Sequence, residues 1–294
     1  MDDELRRTIE HAVAADGGVQ WGRVRATGWA EAWSLDIGDR RHFVKIASGD
    51  SADMIVCEAD GLRALAKTRT VRVPAVAASG SSGPWAFLVT EWLDMAGPAD
   101  ARLGAALAQL HRAPTPHGPR GERYGWHRDN WIGATPQANA WSDDWTTFFR
   151  DRRLAPQLAL AKANGFGDEL GADGERLLVA VPALLRGHAP VASLVHGDLW
   201  GGNAATLRDG EGAAFDPAAY VGDREVDVAM SELFAGFDAG FRAAYEARWP
   251  LDAGYPLRRD LYNCYHLLNH VNLFGRGHVA RARRTMAALV AAAH

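Results

Sequence analysis

Asp198 and Asn203 stand five positions apart in the segment Leu194-Val195-His196-Gly197-Asp198-Leu199-Trp200-Gly201-Gly202-Asn203. A β-type stretch leads into a polar loop. Phosphoryl-transfer loops use this spacing: the carboxylate accepts a hydroxyl proton and the asparagine holds a metal ion. Thirteen residues on, Ala213-Ala214-Phe215-Asp216-Pro217 ends an apolar strand on a second carboxylate. Mg²⁺ favours hard oxygen ligands and keeps few protein ligands beside phosphate oxygens, so Asn203 and Asp216 suffice to hold it. Asp198 is thus the expected base and Asn203 and Asp216 the expected metal ligands. Gly and Asn are also ordinary turn residues, and an Asp-x4-Asn alone says little. The joint pattern is much rarer: strand, His-Gly-Asp, Asn at plus five, then strand-Asp-Pro.

Such a site needs a cation on the phosphates of ATP. His42-Phe43-Val44-Lys45-Ile46 puts Lys45 on a strand among apolar neighbours, and Glu58 follows 13 residues later inside a predicted helix. A strand lysine paired with a helix glutamate is how kinases grip the α- and β-phosphates. Taken singly, Lys45 reads as a snorkelling strand lysine and Glu58 as a solvated helix charge; the downstream loop favours function. Gly28, in Gly28-Trp29-Ala30-Glu31-Ala32, occupies the position of a phosphate-covering loop. Glycines there let backbone N–H groups approach phosphate. With one glycine beside Trp29 and Glu31, loose cover of ATP is expected.

The elements that must position these residues divide the chain in two. Helical spacing of Leu5, Ile9, Ala12 and Val13 predicts a helix over 4–15. Strands are expected at 19–26, 32–37 and 42–46, then a helix from Ser51 or Asp53 to about Ala66. Two more strands are expected at 73–77 and 85–91, separated by a loop at 79–84. Helices are expected at 100–112, 141–164 and 168–186, and a helical tail at 231–294 with breaks near Trp249-Pro250 and Gly275. The fold class expected is α+β, a two-lobed protein-kinase-like fold. An antiparallel five-stranded lobe with one inserted helix covers residues 1–93, and a mainly helical lobe covers 94–294. Only 11 residues separate Asp216 from Asp227, too few for an activation loop, and no arginine precedes Asp198. Both absences point to a small-molecule acceptor.

The 294 residues carry a net charge of -4, which gives no reason to expect nucleic acid as a partner. Two cysteines offer no disulfide framework. No apolar run reaches the ~20 residues of a membrane span, and the acidic start is unlike a signal peptide. A cytoplasmic protein, monomer or homodimer, is expected. His266 and His270 stand at helical i, i+4 spacing, but no His-Glu-x-x-His pattern accompanies them. A packing or sugar-facing role is expected for His266. His196 is expected to brace its loop, with Asp227 as partner.

The chain resembles the fructosamine kinase (ketosamine-3-kinase) family, which is related to aminoglycoside phosphotransferases and choline kinases. The likeness rests on His196-Gly197-Asp198-Leu199-Trp200-x-Gly202-Asn203, Asp216-Pro217-Ala218, the block Tyr220 to Met230, and Tyr265-His266-Leu267-Leu268-Asn269-His270. Tyr124-Gly125-Trp126, Trp141-Ser142-Asp143-Asp144-Trp145 and Leu107 to His111 add to it. The resemblance implies ATP and Mg²⁺ as cofactors and phosphorylation of a sugar O3 on a ketosamine, free or on a glycated protein lysine, leading to deglycation. It also implies that the Glu91-Trp92-Leu93 hinge meets adenine and that Trp200 stands at the sugar site. Asp223 replaces a histidine common before Arg-Glu, which places it among the residues expected to tune substrate choice. The family's extra loop glycines, and the cysteine some members carry there, are absent. Alternatives are an aminoglycoside- or choline-like phosphotransferase and a catalytically weak nucleotide-binding protein.

Overall fold

Period-two alternation in the first sheet decides which face each residue takes. The computed structural model describes residues 1–15, 17–24 and 28–293. Helix α1 (Asp3–Ala12) is capped by Asp2, whose carboxylate accepts the Leu5 N–H at 2.7 Å. Strands β1 (Val19–Arg23), β2 (Glu31–Ile37) and β3 (Arg40–Ser48) follow, then α2 (Ala52–Lys67), β4 (Val76–Ser82) and β5 (Trp85–Glu91). They form one antiparallel sheet in the order β1-β2-β3-β5-β4. Leu35, Val44, Ile46, Phe87 and Val89 bury one face against Leu5 and Ile9 of α1. Ala47, Ala86 and Leu88 turn the other way, against Ile55, Ala59 and Leu62 of α2.

Two sequence expectations change here. Of the strand expected at 19–26, Val19–Arg23 is observed, and residues 25 and 26 lie outside the described residues. The strand expected at 73–77 runs instead over Val76–Ser82, through the Ser/Gly stretch read as a loop. Pairing of Ser79 with Leu88 and Gly80 with Phe87 overrides the weak β-propensity of those residues. Gly80 has a steric reason: a Cβ there would lie 2.9 Å from the Phe87 ring.

Beyond β6 (Met95–Gly97) the chain is helical around small sheets. Helix α3 (Ala101–Leu110) leads to the hairpin β7 (Asn130–Ile132) and β8 (Thr135–Gln137), absent from the sequence reading. The helix expected from residue 141 starts at Trp145, capped by Asp144, as α4 (Trp145–Phe149). It widens over Arg150–Leu154, continues as α5 (Ala155–Ala161) and breaks at Gly165, φ 87°. Helix α6 (Gly167–Leu184) precedes β9 (Ala192–Val195), β10 (Ala204–Leu207), β11 (Gly212–Ala214) and β12 (Tyr220–Asp223). Then come α7 (Glu225–Leu233), α8 (Ala239–Arg248), α9 (Tyr255–Phe274) and α10 (Val279–Ala292), with breaks at Trp249-Pro250 and Gly275. Strand β9 pairs with β12 and β10 with β11 and β6, so the loops after β9 and β11 converge. Among the described residues, no helix is long and apolar enough to cross a membrane.

Candidate active site

Because Val44 and Ile46 face α1, Lys45 between them faces α2. Its ammonium lies 2.9 Å from both Glu58 oxygens and 2.5 Å from Asp216 Oδ1. Lys45 and Glu58 are buried; the Asp216 side chain keeps 40% of its surface exposed. Burial disfavours charge on Lys45, but Asp216 and Glu58 outweigh it and hold the ammonium above its ordinary range. Burial, reinforced by Asp216 and opposed by Lys45, pushes Glu58 up to about 8. Burial also works against charge on Asp216, yet Lys45 keeps its carboxyl below the usual range. Asp216 has φ 55°, the left-handed region that an aspartate rarely occupies. Such strain persists only where surrounding structure holds it, and it gathers at functional sites.

The loop after β9 is held from beneath by Asp227 on α7. Its carboxylate accepts the N–H groups of His196 at 2.7 Å and Gly197 at 2.8 Å, and contacts His111 Nε2 at 3.1 Å. His111 in turn meets the Tyr245 hydroxyl at 2.9 Å. Gly197 is required by its backbone: φ is 83°, and a Cβ would lie 2.1 Å from the Ala218 carbonyl oxygen. His196 is buried, with Nε2 3.0 Å from the Phe215 carbonyl and Nδ1 accepting the Asp198 N–H at 3.3 Å. It ties the loop after β9 to the loop after β11, in the bracing role the sequence suggested.

That brace brings Asp198, Asn203 and Asp216 together. Asn203 Nδ2 donates to Asp198 Oδ2 and to the Asp198 carbonyl, both at 3.0 Å, and to the Asp216 carbonyl at 3.4 Å. Its Oδ1 has no protein partner among the described residues, and it stands with two carboxylates: a hard-oxygen donor set that fits Mg²⁺. Burial, with the charge of Asp216 adding to it, pushes the Asp198 carboxyl up to about 7, against the opposing bond from Asn203. A carboxylate near that value is suited to accept a proton at neutral pH.

These groups line a cleft of about 350 Å³. Gly28, φ 49°, and Trp29 close one side, with the Trp29 ring 5.7 Å from Lys45 Nζ. Trp200 and Phe274 stand at the rim, 40% and 67% exposed, more than large aromatics in a packed core show. Phe234 packs edge-on against Trp200 and tilts against His270, which packs on Phe274. Met54, Cys57, Trp131 and Phe274 also line the cleft and were missed in the sequence. They come from α2, β7 and the end of α9, and no local pattern joins them.

Other expected residues lie elsewhere. Asp223, expected to tune substrate choice, is 1% exposed and away from the cleft. It is 2.6 Å from both His188 Nε2 and the Tyr262 hydroxyl, and accepts the Glu225 N–H at 3.0 Å. With these partners it closes the end of β12 and the start of α7. His266 is buried on α9 and does not line the cleft; burial pushes its pKa down to about 3, so the ring is neutral. Packing, the blander of its two expected roles, fits this place. Glu91 pairs with Arg72, and the Trp92 N–H donates to the Arg41 carbonyl at 3.3 Å. Glu91, Trp92 and Leu93 stand at the end of β5, outside the volume around Asp198.

The sequence model of a family described as Fructosamine kinase matches residues 3–292. A probable ketoamine kinase of Synechocystis sp. is 44% identical over 261 residues, 87% of this chain and 85% of the relative. A chloroplastic protein-ribulosamine 3-kinase of Arabidopsis thaliana is 40% identical over 244 residues, 82% of this chain and 73% of the relative. The crystal structure of a putative fructosamine-3-kinase from Haemophilus somnus aligns with a TM-score of 0.85 at 29% identity. That alignment covers 97% of this chain and 96% of the other.

Proposed function

The chain belongs to the fructosamine kinase family, and on that premise we propose that it moves the γ-phosphoryl group of ATP to a sugar hydroxyl of a ketosamine. It is a phosphotransferase with an alcohol group as acceptor, as its ketoamine and ribulosamine kinase relatives are named. The observation that carries the reading is the meeting of Asp198, Asn203 and Asp216 in one cleft, with Lys45 bonded to Asp216 from behind it.

Lys45, oriented by Glu58, binds the α- and β-phosphates and is charged throughout the working pH range. Asn203 and Asp216 are the residues that would hold Mg²⁺, which supplies charge neutralisation on the phosphates when bound. Asp198 orients the acceptor hydroxyl and takes its proton. Trp200 and Phe274 present apolar faces to the acceptor's carbon skeleton. Positioning and electrostatics supply the rate enhancement, with no covalent step on the protein. Nucleotide binds between lobes at residues 1–93 and 94–294, a division supported by β6, directly after residue 93, pairing with β10. Adenine then meets the backbone at Glu91-Trp92-Leu93, and Gly28 covers the phosphates loosely. The product ester is labile, so the physiological outcome is deglycation of free ketosamines or glycated lysines, in the cytoplasm. Asp223 and His266 are structural in this account.

The test is ATP consumption with Mg²⁺ on fructosyl-, ribulosyl- and psicosyl-lysine, with an aminoglycoside and choline as comparison acceptors. Turnover confined to the ketosamines and abolished in Asp198→Ala is expected. Turnover of choline or the aminoglycoside alone would overturn the acceptor class.

A further inference from the structure

A second cavity, about 630 Å³, lies between α9, α10 and the end of α7, away from the catalytic residues. Its walls combine groups that a mere packing defect has no reason to collect. Arg281, Arg284, Thr285 and Ala288 follow the i, i+3, i+4, i+7 spacing of one helix face, so α10 presents two guanidinium groups and a hydroxyl together. Neighbouring Arg283 pairs with Asp173, but Arg281 and Arg284 meet no carboxylate at ion-pair distance among the described residues.

The acidic groups of the cavity are already satisfied. Glu232 is paired with Arg242 and accepts the Tyr255 hydroxyl at 2.7 Å; Asp260 is 2.9 Å from Arg259. Two positive charges are left over. Across from them on α9 is Asn263, only 7% exposed, whose Oδ1 has no hydrogen-bond partner and whose Nδ2 donates to no acceptor among the described residues. Native structures rarely leave a buried amide unmatched. Leu233, Leu267 and Leu289 give the cavity an apolar floor.

We propose that this cavity binds a small phosphate monoester of sugar-phosphate size. The phosphate meets Arg281 and Arg284, whose forked donors suit its oxygens, and hydroxyl oxygens of the carbon skeleton accept from Asn263 Nδ2. Helix α7 links the two sites: Glu232 and Leu233 line the cavity, Asp227 on the same helix braces the catalytic loop, and Phe234 follows to pack on Trp200.

The inference is independent of which acceptor the catalytic cleft takes. Its test is isothermal titration calorimetry of the full chain with glucose 6-phosphate, inorganic phosphate and glucose, with Mg²⁺ and a non-hydrolysable ATP analogue filling the nucleotide site. Glucose 6-phosphate is expected to bind more tightly than inorganic phosphate, and glucose not to bind. Arg281→Ala/Arg284→Ala should weaken glucose 6-phosphate at least tenfold with ATP turnover unchanged, which also shows the variant folded. Asn263→Leu should remove the preference for glucose 6-phosphate over inorganic phosphate. Three results would each overturn the proposal: no binding to the wild type at millimolar ligand, binding unchanged in the double arginine variant, or equal affinity for the two phosphates.

Discussion

Lys45 and Asp216 are 171 positions apart in the chain, yet Nζ and Oδ1 meet at 2.5 Å, with Glu58 2.9 Å from the same ammonium. The contact joins the sheet that carries Lys45 to the loop that carries Asp216. It assembles one end of the cleft within the polypeptide itself.

Removing that lysine tests both stability and binding. Lys45→Met leaves Glu58 buried without its cation, which typically costs about 3–5 kcal/mol. A lower urea midpoint is expected, and calorimetry should show Mg²⁺–ATP affinity reduced at least tenfold. An unchanged midpoint would mean that the buried pair contributes little.

Asp198→Asn separates proton transfer from binding. Turnover on a ketosamine is expected to fall by about 10²–10⁴, the usual range for a lost general base. Calorimetry should find Mg²⁺–nucleotide affinity within about threefold of wild type. Retained turnover would remove Asp198 from the mechanism.

The brace at Asp227 predicts a pH dependence. Burial alone would raise its carboxyl, but His111 and the loop N–H groups outweigh burial and hold it below the usual range. A depressed folded value stabilises fully above the unfolded value of about 3.9 and loses that stabilisation as pH falls through the folded value. Asp227→Asn should cost about 2 kcal/mol at pH 6 in urea unfolding. The gap should narrow below about pH 4. A pH-independent gap would show that shape, not charge, carries the brace.

Gly197→Ala places a methyl group 2.1 Å from the Ala218 carbonyl oxygen at φ 83°. A loss of at least about 2 kcal/mol is expected, with turnover falling because Asp198 is the next residue. Full activity in this variant would show that the loop can relax.

Phe274→Ala should raise KM for fructosyl-lysine several-fold and leave KM for ATP unchanged. Phe274 lines the cleft with Trp200 and is 67% exposed. Equal effects on both substrates would indicate a general loosening of α9 instead.

The sequence by itself determined the candidate catalytic loop, the two metal-ligand candidates, the lysine–glutamate pair and most helices. Each of these is encoded locally, as contiguous residues or a fixed periodicity. The alternation of β3 even dictated that Lys45 would face away from Val44 and Ile46. Tertiary structure decided what depends on partners distant in sequence. Ser79 to Ser82 became strand because β5 supplies the ladder, against their own propensity. Asp223 looked like a substrate residue beside the motif block, but His188 and Tyr262, 35 and 39 positions away, take its carboxylate into the interior. Phe274 had no signal at all: its role follows from where α9 ends relative to Trp200. Nor could composition show that Arg281 and Arg284 meet no carboxylate among the described residues and face a buried Asn263. Burial and charge balance are properties of packed surfaces, and a chain acquires them only when its elements meet.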